Sequence, residues 1–342
     1  MPSPVPHILV TGAAGFIGQG LLQRWLLPRA ARGECQLTLV DRQLTPSSTP
    51  GVQTVSGDIT DPALLAGVFA QPVDLVFHLA AIVSGQAEQA YDRGRDVNLM
   101  ASLHGLELAR RQWVQHQRRV RWIQASSIAV WGTGLPSQVD DHTPIRPELS
   151  YGAHKRMLEL MIHDLSRRGE LDGRCLRLSG VVVRPRAANG ALSGFNSDLI
   201  REPLQGREVV SPVRRDSCLW LCSRETTVDQ LWAMSQIPDV HWHDTCREHR
   251  SEGAVNAPTW PVQLEPLIAV LGQMDPSAPD RIRFDPAAPL QAQFGNWPVS
   301  VDFALARALG LPDDRLKHHN DLTRFVQACR ATADIGLSPQ PH

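Results

Sequence analysis

Along its first half the chain alternates short runs that are apolar on both faces with longer stretches of helical periodicity. The apolar runs His7–Thr11, Gln36–Val40, Val52–Val55, Val73–Leu79, Val120–Ala125 and Arg174–Leu178 are candidate strands. A strand apolar on both faces is one covered by helices on both sides, as in a parallel sheet. The intervening stretches Phe16–Leu27, Asp61–Phe69, Asp92–Gln112 and Tyr151–Arg168 supply those helices. In the last, Met157, Leu158, Met161, Ile162 and Leu165 recur at helical spacing and predict a core-facing stripe, methionines included. Strand–helix alternation of this kind predicts an α/β fold. After residue 180 prolines become frequent and the rhythm breaks into shorter pieces. This predicts residues 1–180 as one domain and 181–342 as a smaller one, with some of its segments returning to the first sheet.

Composition removes several function classes. The 342 residues are 42% hydrophobic and 20% charged with a net charge of −1, so no global field draws the chain to nucleic acid or anionic lipid. No run of roughly 18 apolar residues predicts a membrane span. The start, Met1-Pro2-Ser3-Pro4, lacks a basic-then-apolar signal pattern, and the six cysteines form no CxxC pair. A reduced, cytoplasmic protein is expected. The tract His241–His249 is polar and reads as a variable insertion; its His and Cys spacing matches no standard metal site, and no metal is expected. Cys218 and Cys222 flank Leu219-Trp220-Leu221 and read as a buried strand, and Arg214-Arg215-Asp216 as a substrate loop or a solvated turn.

The first candidate strand runs directly into Gly12-Ala13-Ala14-Gly15-Phe16-Ile17-Gly18 and then a helical pattern. Strand, glycines and helix in that order form a dinucleotide-binding turn: glycine lets the backbone approach a pyrophosphate, which rests on the helix N-terminus. The predicted architecture is therefore a Rossmann doubly wound parallel sheet with a smaller, interleaved C-terminal substrate domain. The second strand ends in Val40-Asp41; a carboxylate there accepts from both ribose hydroxyls and repels a 2′-phosphate, favouring NAD over NADP. Asp58-Ile59 is placed at the adenine edge, and Leu79-Ala80-Ala81 keeps the end of the fourth strand small beside the cofactor.

Tyr151 and Lys155 lie one turn apart on the same face of a predicted helix. A free phenol is a poor base at neutral pH. A neighbouring ammonium and a positive nicotinamide ring both favour the phenolate. Ser126-Ser127 follows the fifth strand at its carboxyl end, where open α/β sheets bind ligands.

These motifs together resemble the extended short-chain dehydrogenase/reductases, which include NAD-dependent nucleotide-sugar epimerases. The matching elements are Thr11-Gly12-x-x-Gly15-x-x-Gly18, Asp41, Gly57-Asp58, His78-Leu79-Ala80-Ala81, Ser126-Ser127-x-x-Val130-x-Gly132, Tyr151-x-x-x-Lys155 and Asp302 through Ala308-Leu309-Gly310. The resemblance implies a catalytic set of Ser127, Tyr151 and Lys155. It implies NAD contacts from Gly12, Ala14, Gly15, Phe16, Ile17, Gly18, Asp41, Asp58, Ile59, Leu79, Ala80, Ala81 and Asn98, with Tyr151 and Lys155. Many members pair through the helices at Asp92–Gln112 and Tyr151–Arg168, which implies a homodimer.

A narrower resemblance, to the D-erythronate dehydrogenase group, rests on His78–Glu88, Arg177–Pro185 and Ile200–Leu204. It implies oxidation of the 2-hydroxyl of a small sugar acid. Ser84, Ser126, Ser127, Arg184, Asn189 and Arg201 are then the candidate substrate contacts. Epimerases usually carry an asparagine where this chain has Gly180. Nucleotide-sugar epimerisation remains the alternative. A cofactor-sensing regulator without turnover is disfavoured, because such proteins often lose the tyrosine or lysine.

Overall fold

In a computed structural model that describes residues 5–186 and 192–334, the apolar runs pair into one parallel sheet. Its strands are β1 (His7–Thr11), β2 (Gln36–Asp41), β3 (Val52–Ser56), β4 (Leu75–His78) and β5 (Arg121–Ser127). After the short β6 (Gln138–Val139), β7 (Asp172–Leu178) rejoins it; β8 (Gly180–Val182), β9 (Val209–Ser211) and β10 (Cys218–Ser223) lie apart, and β11 (Ala254–Asn256) returns to the edge. The order β11-β7-β5-β4-β1-β2-β3 reverses direction between β1 and β4, which opens a crevice at the carboxyl ends of those strands. This is the predicted α/β Rossmann architecture.

Three details differ from the sequence reading, each for a physical reason. The fifth strand does not stop at Ala125: it pairs with β7 through Ser126↔Arg177 and Ser127↔Leu178, so both serines are strand residues. The stripe on the helix Ser150–Arg167 is wider than one buried face. Leu158, Ile162 and Leu165 pack on the sheet, whereas Met157 and Met161, expected in the core, stand 44% and 41% exposed beside Leu160. The tract His241–His249, read as polar, mostly forms the helix Asp239–Glu248, with Trp242 and Cys246 in the main core. The Trp242 ring carries the buried Arg174 guanidinium 4.9 Å from its centroid. Among the described residues no cluster of three or more His, Cys, Asp or Glu could hold a metal ion.

A second layer is built from β8, β10 and β12 (Trp260–Gln263), in the order β12-β10-β8. Val182, Leu199, Leu221, Leu267 and Phe325 form a core of its own beneath it. Two further pairs, β9 with β13 (Ile282–Phe284) and β6 with β14 (Ser300–Val301), tie its outer segments down. Cys218 and Cys222 are buried on β10, and all six cysteines are free thiols. No helix among the described residues is long and apolar enough to cross a membrane.

Trp242→Ala should cost about 3–5 kcal/mol of unfolding free energy, because it empties a ring-sized volume in the main core and bares the Arg174 charge. A denaturant midpoint unchanged from the parent protein would place that helix outside the core.

Candidate active site

The crevice is a cleft of about 310 Å³ between the two layers. At its cofactor end, Gly12 closes β1 with φ of +72°, and a Cβ there would lie 2.6 Å from the Ala80 amide nitrogen. A Cβ on Gly18 would lie 2.2 Å from the Gly12 carbonyl oxygen. Only glycine tolerates both approaches, and the result is a bare backbone wall into which a pyrophosphate fits. Gly12, Gly15, Phe16, Ile17 and Gly18 line this end, with Leu79 and Ala81 opposite.

The other predicted cofactor residues stand behind that wall. The Asp41 carboxylate accepts from the Ala14 and Arg42 amides at 2.9 and 2.7 Å, so it anchors the glycine turn and keeps one lone pair per oxygen for a ribose. Asn98 brackets the backbone of Ile82, accepting from its N–H at 2.7 Å and donating to its C=O at 2.9 Å. It therefore shapes the turn after β4 instead of lining the cleft. Ile59 is buried, and Ala80 lies under Gly12. Asp58 is tied to Thr60 and Arg93; burial pulls its carboxyl up, but those hydrogen bonds hold it at about 2.

At the centre, Ser127 closes β5 and Tyr151 and Lys155 project from the first turns of the facing helix. The Ser127 hydroxyl hydrogen-bonds the Tyr151 phenol, and the Lys155 nitrogen lies 5.5 Å from the phenol ring centroid. Lys155 is almost fully buried and donates to the Ala125 carbonyl at 2.7 Å; burial brings its ammonium down to about 8. Burial also pushes the Tyr151 phenol up, while the Arg184 charge and the Ser127 hydrogen bond pull it down. Arg184 is thus the nearby cation that acts on the phenol in this structure, a role the spacing of Tyr151 and Lys155 does not reveal. Beneath β4, burial holds His78 neutral, at about 3, between Thr11 and Ser102.

The substrate end is walled by Leu219, Trp220, Phe294 and Trp297, with Ser84, Asn196, Gln293 and Arg184 as its polar groups. Trp220 and Trp297 pack with ring centroids 4.9 Å apart and planes inclined by 34°, and Trp220 donates to the Pro298 carbonyl at 2.7 Å. Arg184 makes no ion pair with a carboxylate among the described residues; its Nε donates only to the Val181 carbonyl, at 3.2 Å. Two other predicted contacts are occupied elsewhere. Arg201 is ion-paired to Asp198 and Glu202 and donates to the Arg184 carbonyl, off the cleft wall. Ser126 lines the cleft but donates its hydroxyl to Glu159 at 2.6 Å. Arg214 pairs with Asp216 on the surface, and Asn189 lies outside the described residues. Glu159 is a further buried charge at the site, and its sequence signal is a carboxylate one turn after Lys155 on the sheet-facing side of an apolar stripe. The aromatic wall left no such trace, because its members come from positions as distant as 220 and 297.

Glycine turn, switch-point cleft and hydroxylated centre define a nucleotide-dependent oxidoreductase of the doubly wound type. The model described as the NAD dependent epimerase/dehydratase family matches residues 8–217, and the chain belongs to that family. It is 38% identical to the D-erythronate dehydrogenase of Cupriavidus necator over 90% of this chain and 94% of that protein. Its identity to the D-erythronate dehydrogenase of Haemophilus influenzae is 32%, over 94% and 98% of the two chains. The nucleoside-diphosphate-sugar epimerase from Agrobacterium tumefaciens superposes with a TM-score of 0.83 at 30% identity, covering 94% of this chain and 93% of that one. The protein is an NAD-dependent dehydrogenase acting on CH–OH.

Gly18→Ala should weaken NAD binding by about tenfold or more, since its methyl displaces the turn that meets the pyrophosphate. Calorimetric titration of folded variant and parent with NAD measures the difference; equal affinities would mean the glycine turn does not carry the cofactor.

Proposed function

We propose that the protein oxidises the 2-hydroxyl of a four-carbon sugar acid, D-erythronate, to the 2-keto acid. The observation that carries this reading is Arg184: a half-buried guanidinium beside Tyr151, facing the cleft, with no carboxylate partner among the described residues. A desolvated cation of this kind calls for an anion, and one guanidinium forks well onto one carboxylate. The aromatic wall supplies no second cation for a diphosphate. Gly180 supports the same choice, because a Cβ there would lie 2.7 Å from the Asn196 amide nitrogen and 2.9 Å from the Trp220 carbonyl. The epimerase asparagine has no room at that position.

In this mechanism Arg184 holds the substrate carboxylate, which sets the 2-hydroxyl against Tyr151. The Tyr151 phenolate takes the hydroxyl proton, and Ser127 donates to the oxygen as it becomes a carbonyl. NAD, when bound between the glycine turn and Lys155, supplies the two-electron acceptor for the hydride leaving C2. Lys155 holds the nicotinamide ribose and favours the phenolate through its charge. Asp41 gives the adenosine ribose its acceptor.

We also infer a homodimer. Met100, Val114, Met157, Leu160 and Met161 stand 41–56% exposed on the two helices through which relatives pair. An apolar face of that kind is covered efficiently by its own copy across a two-fold axis.

Purified protein should form NADH steadily with D-erythronate and not with UDP-sugars; the absence of NADH with any four-carbon aldonic acid would sink the assignment. Tyr151→Phe should lower turnover by about a hundredfold or more with NAD affinity nearly unchanged. Arg184→Met should raise KM for the acid by roughly tenfold or more. Light scattering should return twice the chain mass, and Met157→Glu with Met161→Glu should return the monomer; a monomeric parent protein would refute the pairing.

A further inference from the structure

Two deeply buried charges near the cleft do not face it. Glu159, one turn beyond Lys155, is 2% exposed, and Arg177 on β7 is 5% exposed. The two form a bidentate pair, Nε to Oε1 and Nη2 to Oε2, both at 2.9 Å. Arg177 extends the chain to the Asn256 side-chain oxygen at 3.1 Å, on the edge strand β11. From the other side, the Ser126 hydroxyl donates to the same carboxylate at 2.6 Å. One carboxylate thus joins the helix carrying Tyr151 and Lys155, the strand carrying Ser127, and β7.

We propose that Glu159 and Arg177 are positioning residues whose balanced charges set the working pH of the Tyr151–Lys155 pair, while the Ser126 bond fixes its distance from Ser127. The proposal rests on the assignment of Tyr151 and Lys155 as the reacting pair. A buried ion pair adds little net stability over an apolar replacement, so its retention under a catalytic helix fits a local electrostatic role.

The sign follows from what faces the pair. His78 reaches it from β4, Cys175 from β7 with Arg177 beside it on Glu159, Arg184 from beyond β8, and His154, Arg156 and Glu159 from its own helix. Burial holds His78 neutral and pushes the Cys175 thiol far up, so neither carries charge at neutral pH. Burial lowers His154 as well. Glu159 remains as the anion, and Arg156, Arg177 and Arg184 as the cations. Removing the anion makes the potential at both Tyr151 and Lys155 more positive, and both then lose protons at lower pH. Removing Arg177 does the reverse. Both limbs of a pH–rate profile therefore translate together, and in opposite directions for the two variants.

Glu159→Gln should move the profile toward acid by roughly one pH unit, and Arg177→Gln should move it toward alkali by a similar amount. The double variant should return the profile to its place at reduced rate. Ser126→Ala changes no charge and should lower the rate several-fold with the profile unmoved. A second readout needs no substrate: the chain has two tyrosines, so in a Tyr91→Phe background the tyrosinate absorbance of NAD-bound protein reports Tyr151 alone, and its midpoint should move with the same signs. If the single variants fail to fold, Arg156→Gln removes the partly exposed cation 3.2 Å from Glu159 and should give a smaller alkaline shift. Profiles and tyrosinate midpoints that stay in place, or that move the same way in both variants, would reduce the pair to a structural brace. Tyrosinate shifts as described without NADH formation from any sugar acid would overturn the substrate assignment and leave this inference standing.

Discussion

The end of β1 meets the end of β4 so closely that the turn between them and the first helix has no space for side chains. Gly12 lies under the Ala80 amide, Gly18 lies over the Gly12 carbonyl, and Thr11 is bonded through His78 to Ser102 on the helix behind. Because the sheet order reverses at this junction, helices depart to opposite faces and leave the carboxyl ends of β1 and β4 uncovered. The bare backbone is what allows a charged cofactor to lie against the sheet. Everything else at the site is placed relative to that floor: Asn98 shapes the turn after β4, and Asp41 anchors the glycine loop from β2.

Burial sets the electrostatics above the floor. It raises the phenol of Tyr151 and lowers the ammonium of Lys155, and both effects oppose the charged forms that proton transfer requires. The compensation comes from fixed groups: the Ser127 hydroxyl, the Arg184 guanidinium and, for Lys155, the Ala125 carbonyl and the Glu159 charge. Under the proposed mechanism such a site is poised, since the positive charge of the oxidised cofactor would supply the last increment toward the phenolate. It also ties reactivity to occupancy. Under the proposed mechanism a substrate carboxylate on Arg184 would neutralise the cation that the phenol feels, coupling binding to proton transfer through one guanidinium.

The parallel sheet was legible because its strands are apolar on both faces and end in special chemistry, Gly12 after β1 and Asp41 closing β2. That Ser127, Tyr151 and Lys155, the proposed catalytic trio, share one cleft was legible because helical spacing alone puts Tyr151 and Lys155 together, and a strand end presents Ser127 opposite. What failed depended on tertiary context. The stripe from Met157 to Leu165 could not tell which residues face the sheet and which face outward, because both sets are apolar. His241–His249 has a polar composition, yet Trp242 and Cys246 are spaced one turn apart and both enter the core. Arg201 has the right chemistry for a substrate but is paired with Glu202 off the cleft wall, and Ser126, which does line the cleft, bonds Glu159; composition shows neither partner.

The substrate end draws the sharper distinction within a family that also contains nucleotide-sugar enzymes. Holding the two charges of a diphosphate favours more than one cation, whereas this wall, among the described residues, presents two tilted indoles, a phenyl ring, the neutral polar groups of Ser84, Asn196 and Gln293, and one guanidinium. Trp220 is pinned by its bond to the Pro298 carbonyl and by the edge of Trp131 at 5.7 Å, so the wall does not swing aside without breaking the small aromatic core behind it. Asn196 occupies the volume that a side chain at position 180 would need. The restriction is therefore built twice, once by a rigid aromatic surface and once by the loss of a side chain at Gly180. Undoing either alone would leave the other in place, in keeping with the proposed choice of a small, singly charged acid over a nucleotide sugar.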